Sequence, residues 1–239
     1  MPPADLAIRA VFFDAGNTLL RMNYAVIAAE LVRHGLPVTP EAVQRAEWRA
    51  RVRLDDEVLS RWGPGDSTEN RSTAERYLGY LLDGLGVTDP AIVDKIVAWR
   101  RAYNPPVGVW NTVDPDAAQA LDDVRRAGLR AAVISNSNGS VRSILESLGL
   151  GGHLDFVVDS GEEGVEKPDP RIFERALARA RVAPGEAVYI GDLYSIDVRG
   201  ARAAGLRAVL LDPGGHWGAR DCPIAPDLAG AIRLVLTWR

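Results

Sequence analysis

A carboxylate, a hydroxyl–amide pair, a lysine and two further carboxylates punctuate this 239-residue chain: Asp14, Ser135-Asn136, Lys167, and Asp192 with Asp197. Asp14 ends the apolar run from Ile8 to Phe13 and opens Ala15-Gly16-Asn17-Thr18, a small and turn-prone stretch. Ser135-Asn136 follows the run that stops at Ile134, and Gly191-Asp192 the run that stops at Ile190. If these runs are parallel strands, their polar ends meet at one sheet edge, where open α/β folds bind ligands. Asp14 and Asp192 can then hold a hard divalent cation through oxygen. Ser135 and Lys167 can bind a phosphoryl group by hydroxyl and by charge, with turn N–H groups adding to the cradle. A carboxylate beside both is placed to act as a nucleophile. By itself Asp14 also reads as a helix-capping residue after a strand; the other strand ends decide against that.

The elements that must position these groups follow from hydrophobic periodicity. From Asp114 onward, helical spacing over residues 115–127, 140–148, 170–180, 196–204 and 228–236 alternates with apolar runs at 129–134, 156–158, 187–190 and 208–211. Such alternation predicts parallel βαβ units covered on both faces. The first strand belongs with this set. Residues 23–103 interrupt it with helical spacing alone, so an all-helical block is inserted after strand one. Within the block, Tyr24, Ile27, Ala28, Leu31 and Val32 form an apolar stripe that Gly35 and Pro37 end. Thr39 and Pro40 read as the N-cap and first residue of a second helix. Trp62-Gly63-Pro64-Gly65-Asp66 is a loop, and Asn104-Pro105-Pro106 stops the last helix. Arg45, Arg49, Arg51 and Arg53 suggest a basic stripe, but Glu47, Asp55, Asp56 and Glu57 among them point to a solvated helix face.

A formal net charge of −4, with both signs interspersed, leaves no electrostatic footprint for nucleic acid. A single cysteine, Cys222, excludes an internal disulfide and a cysteine metal cluster. Neither a signal segment nor a bilayer-length apolar run is present, so the expected setting is the cytoplasm, away from membranes. His34, His153 and His216 have no partners at metal-ligand or triad spacing and are expected at surface or capping positions. Trp48, Trp62 and Trp99 are expected inside the helical block or at its interface with the core, with Trp62 the best placed to stack on a substrate.

In order, spacing and strand context these motifs resemble those of the haloacid dehalogenase-like hydrolase superfamily. Asp14 to Thr18 match its first motif, Ser135-Asn136 its second, Lys167-Pro168 its third, and Gly191-Asp192 with Asp197 its fourth. The resemblance covers essentially the whole chain. It implies an α/β, Rossmann-like parallel-sheet core in residues 1–19 and 107–239, with an inserted all-helical cap of type 1 in residues 20–106 that closes over the active site. It further implies a Mg²⁺-dependent phosphatase that acts on a small phosphorylated metabolite through an aspartyl-phosphate at Asp14. Mg²⁺ would be held by Asp14, the Gly16 backbone carbonyl and Asp192. Ser135 and Lys167 would hold the transferring group, with Asn136 and Thr18 beside it and Thr18 hydrogen-bonded near the nucleophile. Asp197 would orient Lys167 or a metal-bound water.

One position departs from the pattern. Phosphatases of this family usually carry a second Asp two residues after the nucleophile, to protonate the leaving oxygen and later activate water. Here that residue is Gly16. General acid–base help is worth on the order of 10²–10⁴-fold, so its loss bears hardest on alkyl phosphates and least on aryl or acyl phosphates. Three alternatives follow from the same resemblance. A phosphonate-cleaving enzyme needs a cap lysine, and the cap offers only Lys95, whose setting suits an exposed helix position. A 2-haloacid dehalogenase needs no metal and a cap arginine such as Arg45 or Arg49, but Gly191-Asp192 with Asp197 is the metal-binding form of the fourth motif. A low-turnover phosphate- or metal-binding protein would keep the fold without the acid.

Overall fold

A computed structural model of the protein describes residues 7–63, 66–103 and 108–238. Pro64 and Gly65 of the expected loop, the expected helix stop at Asn104-Pro105-Pro106 and the expected 106/107 boundary lie outside these. The chain divides into two compact units, residues 1–21 with 112–239 and residues 22–111.

The first unit begins with β1 (Ala10–Phe13) and β2 (Leu20–Arg21). The second unit contributes α1 (Tyr24–Arg33), α2 (Pro40–Glu57), α3 (Arg71–Gly84) and α4 (Pro90–Tyr103). The first unit then resumes with β3 (Thr112–Val113), α5 (Ala117–Arg126), β4 (Arg130–Ser135), α6 (Val141–Ser147) and β5 (Phe156–Asp159). It continues through α7 (Ser160–Glu163), α8 (Pro170–Ala180), β6 (Ala187–Gly191), α9 (Arg199–Ala203), β7 (Arg207–Leu211), β8 (Ile224–Ala225) and α10 (Leu228–Leu236). The fold is a parallel Rossmann-like α/β core with an inserted all-helical unit.

The sheet runs β5-β4-β1-β6-β7-β8, and every pairing in it is parallel. β1 lies inside the sheet, so its Ala-Val-Phe-Phe sequence is buried on both faces, as continuous apolar strands of parallel sheets are. Its register fixes the site. Phe13 lies opposite Val133 of β4 and Ile190 of β6. Asp14 therefore leaves the sheet level with Ile134 and Gly191, with Ser135 and Asp192 one residue further along.

β2 and β3 form a two-residue antiparallel pair, Leu20 opposite Val113 and Arg21 opposite Thr112. Asp114 locks it by accepting from Arg21 Nε at 2.5 Å, while its backbone N–H donates to Leu19 O at 2.9 Å. The helical block thus departs and returns through adjacent chain segments. Strands this short carry no periodicity, and the sequence reading does not find them.

A second difference lies after β6, where a continuous helix over 196–204 is expected. The chain instead makes a π-helical turn at Tyr194–Val198 before α9. Both backbone N–H groups of Asp192 and Leu193 are drawn onto the Asp197 carboxylate, which widens the turn; such π-turns are often found at functional sites.

In the helical unit Thr39 caps α2 as expected, its Oγ1 accepting from Ala42 N at 3.2 Å. Ile27, Ala28 and Leu31 form the buried stripe of α1, but Val32 is 53% exposed and does not belong to it. The expected solvated face of α2 also needs correction. Arg45, Arg49 and Arg53 are exposed, whereas Arg51, Glu47 and Asp55 are buried. Arg51 Nε and Nη2 grip the two Glu47 oxygens at 2.8 and 2.7 Å. Tyr24 of α1 donates to Glu47 Oε2 at 2.9 Å and Tyr77 of α3 donates to Oε1. The i,i+4 pair falls on the side of α2 where those hydroxyls converge, so a charge pattern that reads as surface becomes the tie between three helices. Trp99 stacks on Tyr103 within α4, and Trp48 and Trp62 are half-buried. Among the described residues no helix is long and apolar enough to cross a membrane.

Truncating one partner of a buried ion pair leaves the other unpaired, at a cost of about 3–5 kcal/mol. Glu47→Ala should lower the unfolding free energy by that amount in urea denaturation, while the exposed Arg49→Ala stays within about 0.5 kcal/mol of wild type.

Candidate active site

The three strand ends and the loop before α8 bring the expected groups together. Asp14 follows β1, its backbone N–H donating to Ile190 O at 2.9 Å. Lys167 enters from the loop before α8 and its Nζ lies 2.6 Å from Asp14 Oδ1 and 2.8 Å from Asp197 Oδ1. Asp192 follows β6 and accepts a long hydrogen bond from Asn17 Nδ2 at 3.4 Å. Asn17 has a left-handed φ of 52°, a conformation that asparagine tolerates better than most residues. Asp14, Asp192 and Asp197 each offer a carboxylate oxygen within 4.8 Å of the others, and all three are buried.

Asp197 has little left to offer a ligand. One oxygen takes Lys167, and the other accepts from the N–H groups of Asp192 at 3.0 Å and Leu193 at 2.9 Å. This close approach requires glycine at 191, where a Cβ would sit 2.4 Å from Asp197 Oδ2. Of the two roles expected for Asp197, the contact seen is the one to Lys167.

Asn136, expected beside the substrate, is occupied elsewhere. Its Nδ2 donates to Lys167 O at 2.9 Å and its Oδ1 accepts from Lys167 N at 2.7 Å. The carboxamide thus clamps the lysine backbone at two points. Ser135 is buried at the end of β4, and its hydroxyl makes a weak contact to Asn136 O at 3.3 Å. Thr18 Oγ1, expected to hydrogen-bond near the nucleophile, is buried without a partner among the described residues. Gly16 sits two residues from Asp14 in an isolated bridge to Leu20.

Two further sets of residues support the site. Tyr189 of β6 accepts from Lys167 Nζ at 2.7 Å and donates to Ile134 O at 2.8 Å. In an apolar strand run an aromatic reads as packing, so nothing in the sequence shows this reach. Asp159, at the end of β5, accepts from Gly139 N, Gly161 N and Val141 N at 3.0, 2.9 and 3.3 Å. Ser160 Oγ accepts from Ser137 N at 2.9 Å and donates to Ser137 O at 3.0 Å. Together they pin the loop after β4. The signal for Asp159 was present: Phe156-Val157-Val158-Asp159 is another apolar run that ends in a carboxylate.

Burial dominates the electrostatics. It pushes the Asp14 carboxyl from the ordinary 3.8 up to about 6, against the pull of Lys167 and with the help of Asp197. Burial alone would discharge Lys167, but Asp14 and Asp197 outweigh it and hold its pKa above the usual lysine range. Burial, then the three carboxylates, raise Tyr189 well above an ordinary tyrosine, so it keeps its proton. With its carboxylates ionised, the cluster sets three negative charges against one buried ammonium. An all-oxygen donor set with excess negative charge suits a hard divalent cation. The other candidates have settings of their own. His153 pairs with Asp122 at 2.8 Å, His34 with Glu30 at 3.3 Å, and His216, Lys95, Arg45 and Arg49 are exposed.

A carboxylate, a lysine and paired acids thus meet at the carboxyl edge of a parallel α/β sheet. The sequence profile of the haloacid dehalogenase-like hydrolases matches residues 8–205, and the chain belongs to that family. It is 34% identical over 213 residues to haloacid dehalogenase-like hydrolase domain-containing protein 3 of Homo sapiens, spanning 86% of this chain and 82% of that one. It is 32% identical over 210 residues to the glyceraldehyde 3-phosphate phosphatase of Methanopyrus kandleri, spanning 87% and 85%. Among solved structures, a 2-haloacid dehalogenase of Pseudomonas syringae pv. Tomato superposes with a TM-score of 0.57 at 26% identity, covering 97% of this chain and 100% of that one.

The raised pKa of Asp14 has a definite sign in stability. The folded chain takes up a proton at Asp14 between pH 3.8 and about 6, so this residue's contribution is greatest below 3.8 and is lost as pH rises through about 6. In chelator-treated protein, Asp14→Asn should gain on wild type by on the order of 2 kcal/mol between pH 4 and pH 7, read from urea midpoints at each pH.

Proposed function

We propose that the chain is a Mg²⁺-dependent phosphatase for a small phosphorylated metabolite, working through an aspartyl-phosphate at Asp14. The observation that carries this reading is the buried cluster in which one ammonium faces three carboxylates. Lys167 holds Asp14 Oδ1 at 2.6 Å, which leaves the other oxygen to attack. That oxygen forms a bond to phosphorus as the bond to the leaving oxygen breaks, and the leaving oxygen departs with the electron pair. Water then attacks the phosphorus of the acyl phosphate, releasing inorganic phosphate and restoring the Asp14 carboxylate.

Asp14, Asp192 and the Gly16 carbonyl would hold Mg²⁺, which when bound supplies positive charge against the phosphoryl oxygens. Ser135 Oγ and backbone N–H groups of the loop after β4 other than those of Ser137, Gly139 and Val141, which Asp159 and Ser160 occupy, would take those oxygens, and Lys167 would balance the charge that develops on them. Asn136 acts through Lys167, whose backbone it clamps, and Thr18, whose Oγ1 has no partner among the described residues, would hydrogen-bond near the nucleophile. The phosphatase named above, similar along most of the chain, supports the same chemistry.

Gly16 narrows the leaving group. With no side chain there to protonate the departing oxygen, groups that leave as stable anions, aryl and acyl phosphates, should turn over fastest. The similarity to a 2-haloacid dehalogenase makes carbon–halogen cleavage the second reading.

A panel of aryl, acyl and alkyl phosphates and a 2-haloacid, each with Mg²⁺ and with EDTA, separates the two. Phosphate release that needs Mg²⁺, favours aryl and acyl substrates and vanishes in Asp14→Asn is the expected result; halide release in EDTA would establish the other. Gly16→Asp should raise turnover of alkyl phosphates by about 10²-fold or more and that of aryl phosphates far less. An equal change for both would show that Gly16 does not set the leaving-group preference.

A further inference from the structure

The Lys167 ammonium has three N–H bonds, and each has a protein acceptor: Asp14 Oδ1 at 2.6 Å, Tyr189 Oη at 2.7 Å and Asp197 Oδ1 at 2.8 Å. Two of these acceptors are charged. The third is neutral and belongs to none of the motifs. Tyr189 gives its own proton to Ile134 O at 2.8 Å, so its oxygen meets the lysine as an acceptor only. The ring is fully buried and lies edge-on to Phe173, with centroids 5.1 Å apart.

An ammonium between two carboxylates alone is free to slide toward either, because in a buried site the attraction rises steeply at short range. A third acceptor off the line between them fixes the direction of the remaining N–H. Being uncharged, it does so without consuming positive charge. Ile134 directly precedes Ser135, so the path Lys167–Tyr189–Ile134 ties the lysine to the strand end that carries that hydroxyl.

We infer that Tyr189 is a positioning residue for hydrolysis: it sets the Lys167 ammonium on Asp14 Oδ1 so that the other Asp14 oxygen faces the phosphorus. This rests on the reading of Asp14 as the nucleophile. Removal of the hydroxyl alone leaves a buried N–H without an acceptor, a deficit the ammonium relieves by tilting toward one carboxylate.

Tyr189→Phe keeps the ring against Phe173 and deletes that acceptor together with the hydroxyl's donation to Ile134 O. Lys95 and Lys167 are the only lysines in the chain, and Lys95 is exposed. Protein labelled with ¹⁵N-lysine should therefore show one slowly exchanging ammonium resonance, from Lys167. In Tyr189→Phe that resonance should shift or be lost to faster exchange, while kcat for an aryl phosphate with Mg²⁺ falls about 10-fold or more and KM stays within about twofold. A purely structural tyrosine would lower Tm and leave kcat per folded molecule intact. An unchanged kcat, or a rise in KM alone, overturns the inference. If wild-type protein releases no phosphate from any substrate, the reading of Asp14 fails instead. The ammonium resonance then decides the contact, and an unaltered resonance in Tyr189→Phe overturns it.

Discussion

One buried positive charge organises the core of this protein. The Lys167 ammonium sits among Asp14, Asp197 and the Tyr189 hydroxyl, with Asp192 beside them. Neither the lysine nor the acids would be tolerated there alone, since an isolated buried charge is costly unless paired and hydrogen-bonded. Together they satisfy one another incompletely. The lysine stays charged because two carboxylates outweigh its burial, yet it cannot neutralise all of them, and Asp14 is pushed up to about 6. The residual negative charge is what suits the site to the divalent cation proposed for it.

Much of the surrounding structure follows from the need to bring that lysine to that aspartate. Asn136 clamps the Lys167 backbone from the end of β4. Gly191 lacks the Cβ that would exclude the Asp197 carboxylate, and Gly200 lacks one that would lie 2.9 Å from Pro168 and Phe173. The π-helical turn at Tyr194–Val198 sets Asp197 to reach both Lys167 and the backbone of Asp192 and Leu193. At Gly191 the close approach is that of a carboxylate, and at Gly200 that of the Phe173 ring and the Pro168 backbone.

The helical unit solves a different problem with similar means. Three helices, α1, α2 and α3, are tied together by the Glu47–Arg51 pair and the hydroxyls of Tyr24 and Tyr77. A fully hydrogen-bonded buried carboxylate demands one arrangement of its donors, whereas an apolar contact of the same area would accept several. This network belongs to the helical unit alone.

By itself the sequence determined the order of the core elements and the residues at the strand ends. Strand and helix periods are local properties, and a polar residue that closes an apolar run stands out without any knowledge of its neighbours. It also made Gly16 visible as the missing acid, since the absence of a side chain needs no structure to be seen. Which groups touch was decided by the tertiary structure. Tyr189 looks like any aromatic in a strand until parallel pairing sets its hydroxyl between Lys167 and the carbonyl of Ile134. Asn136 looks like a ligand-binding amide until the loop before α8 presents the Lys167 backbone to it. Arg51 and Arg49 read alike along the chain, and only the packing of α1 and α3 against α2 buries one and leaves the other in water. Hydrogen bonds between residues distant in sequence depend on register and close approach, and a linear pattern of residue types encodes neither directly.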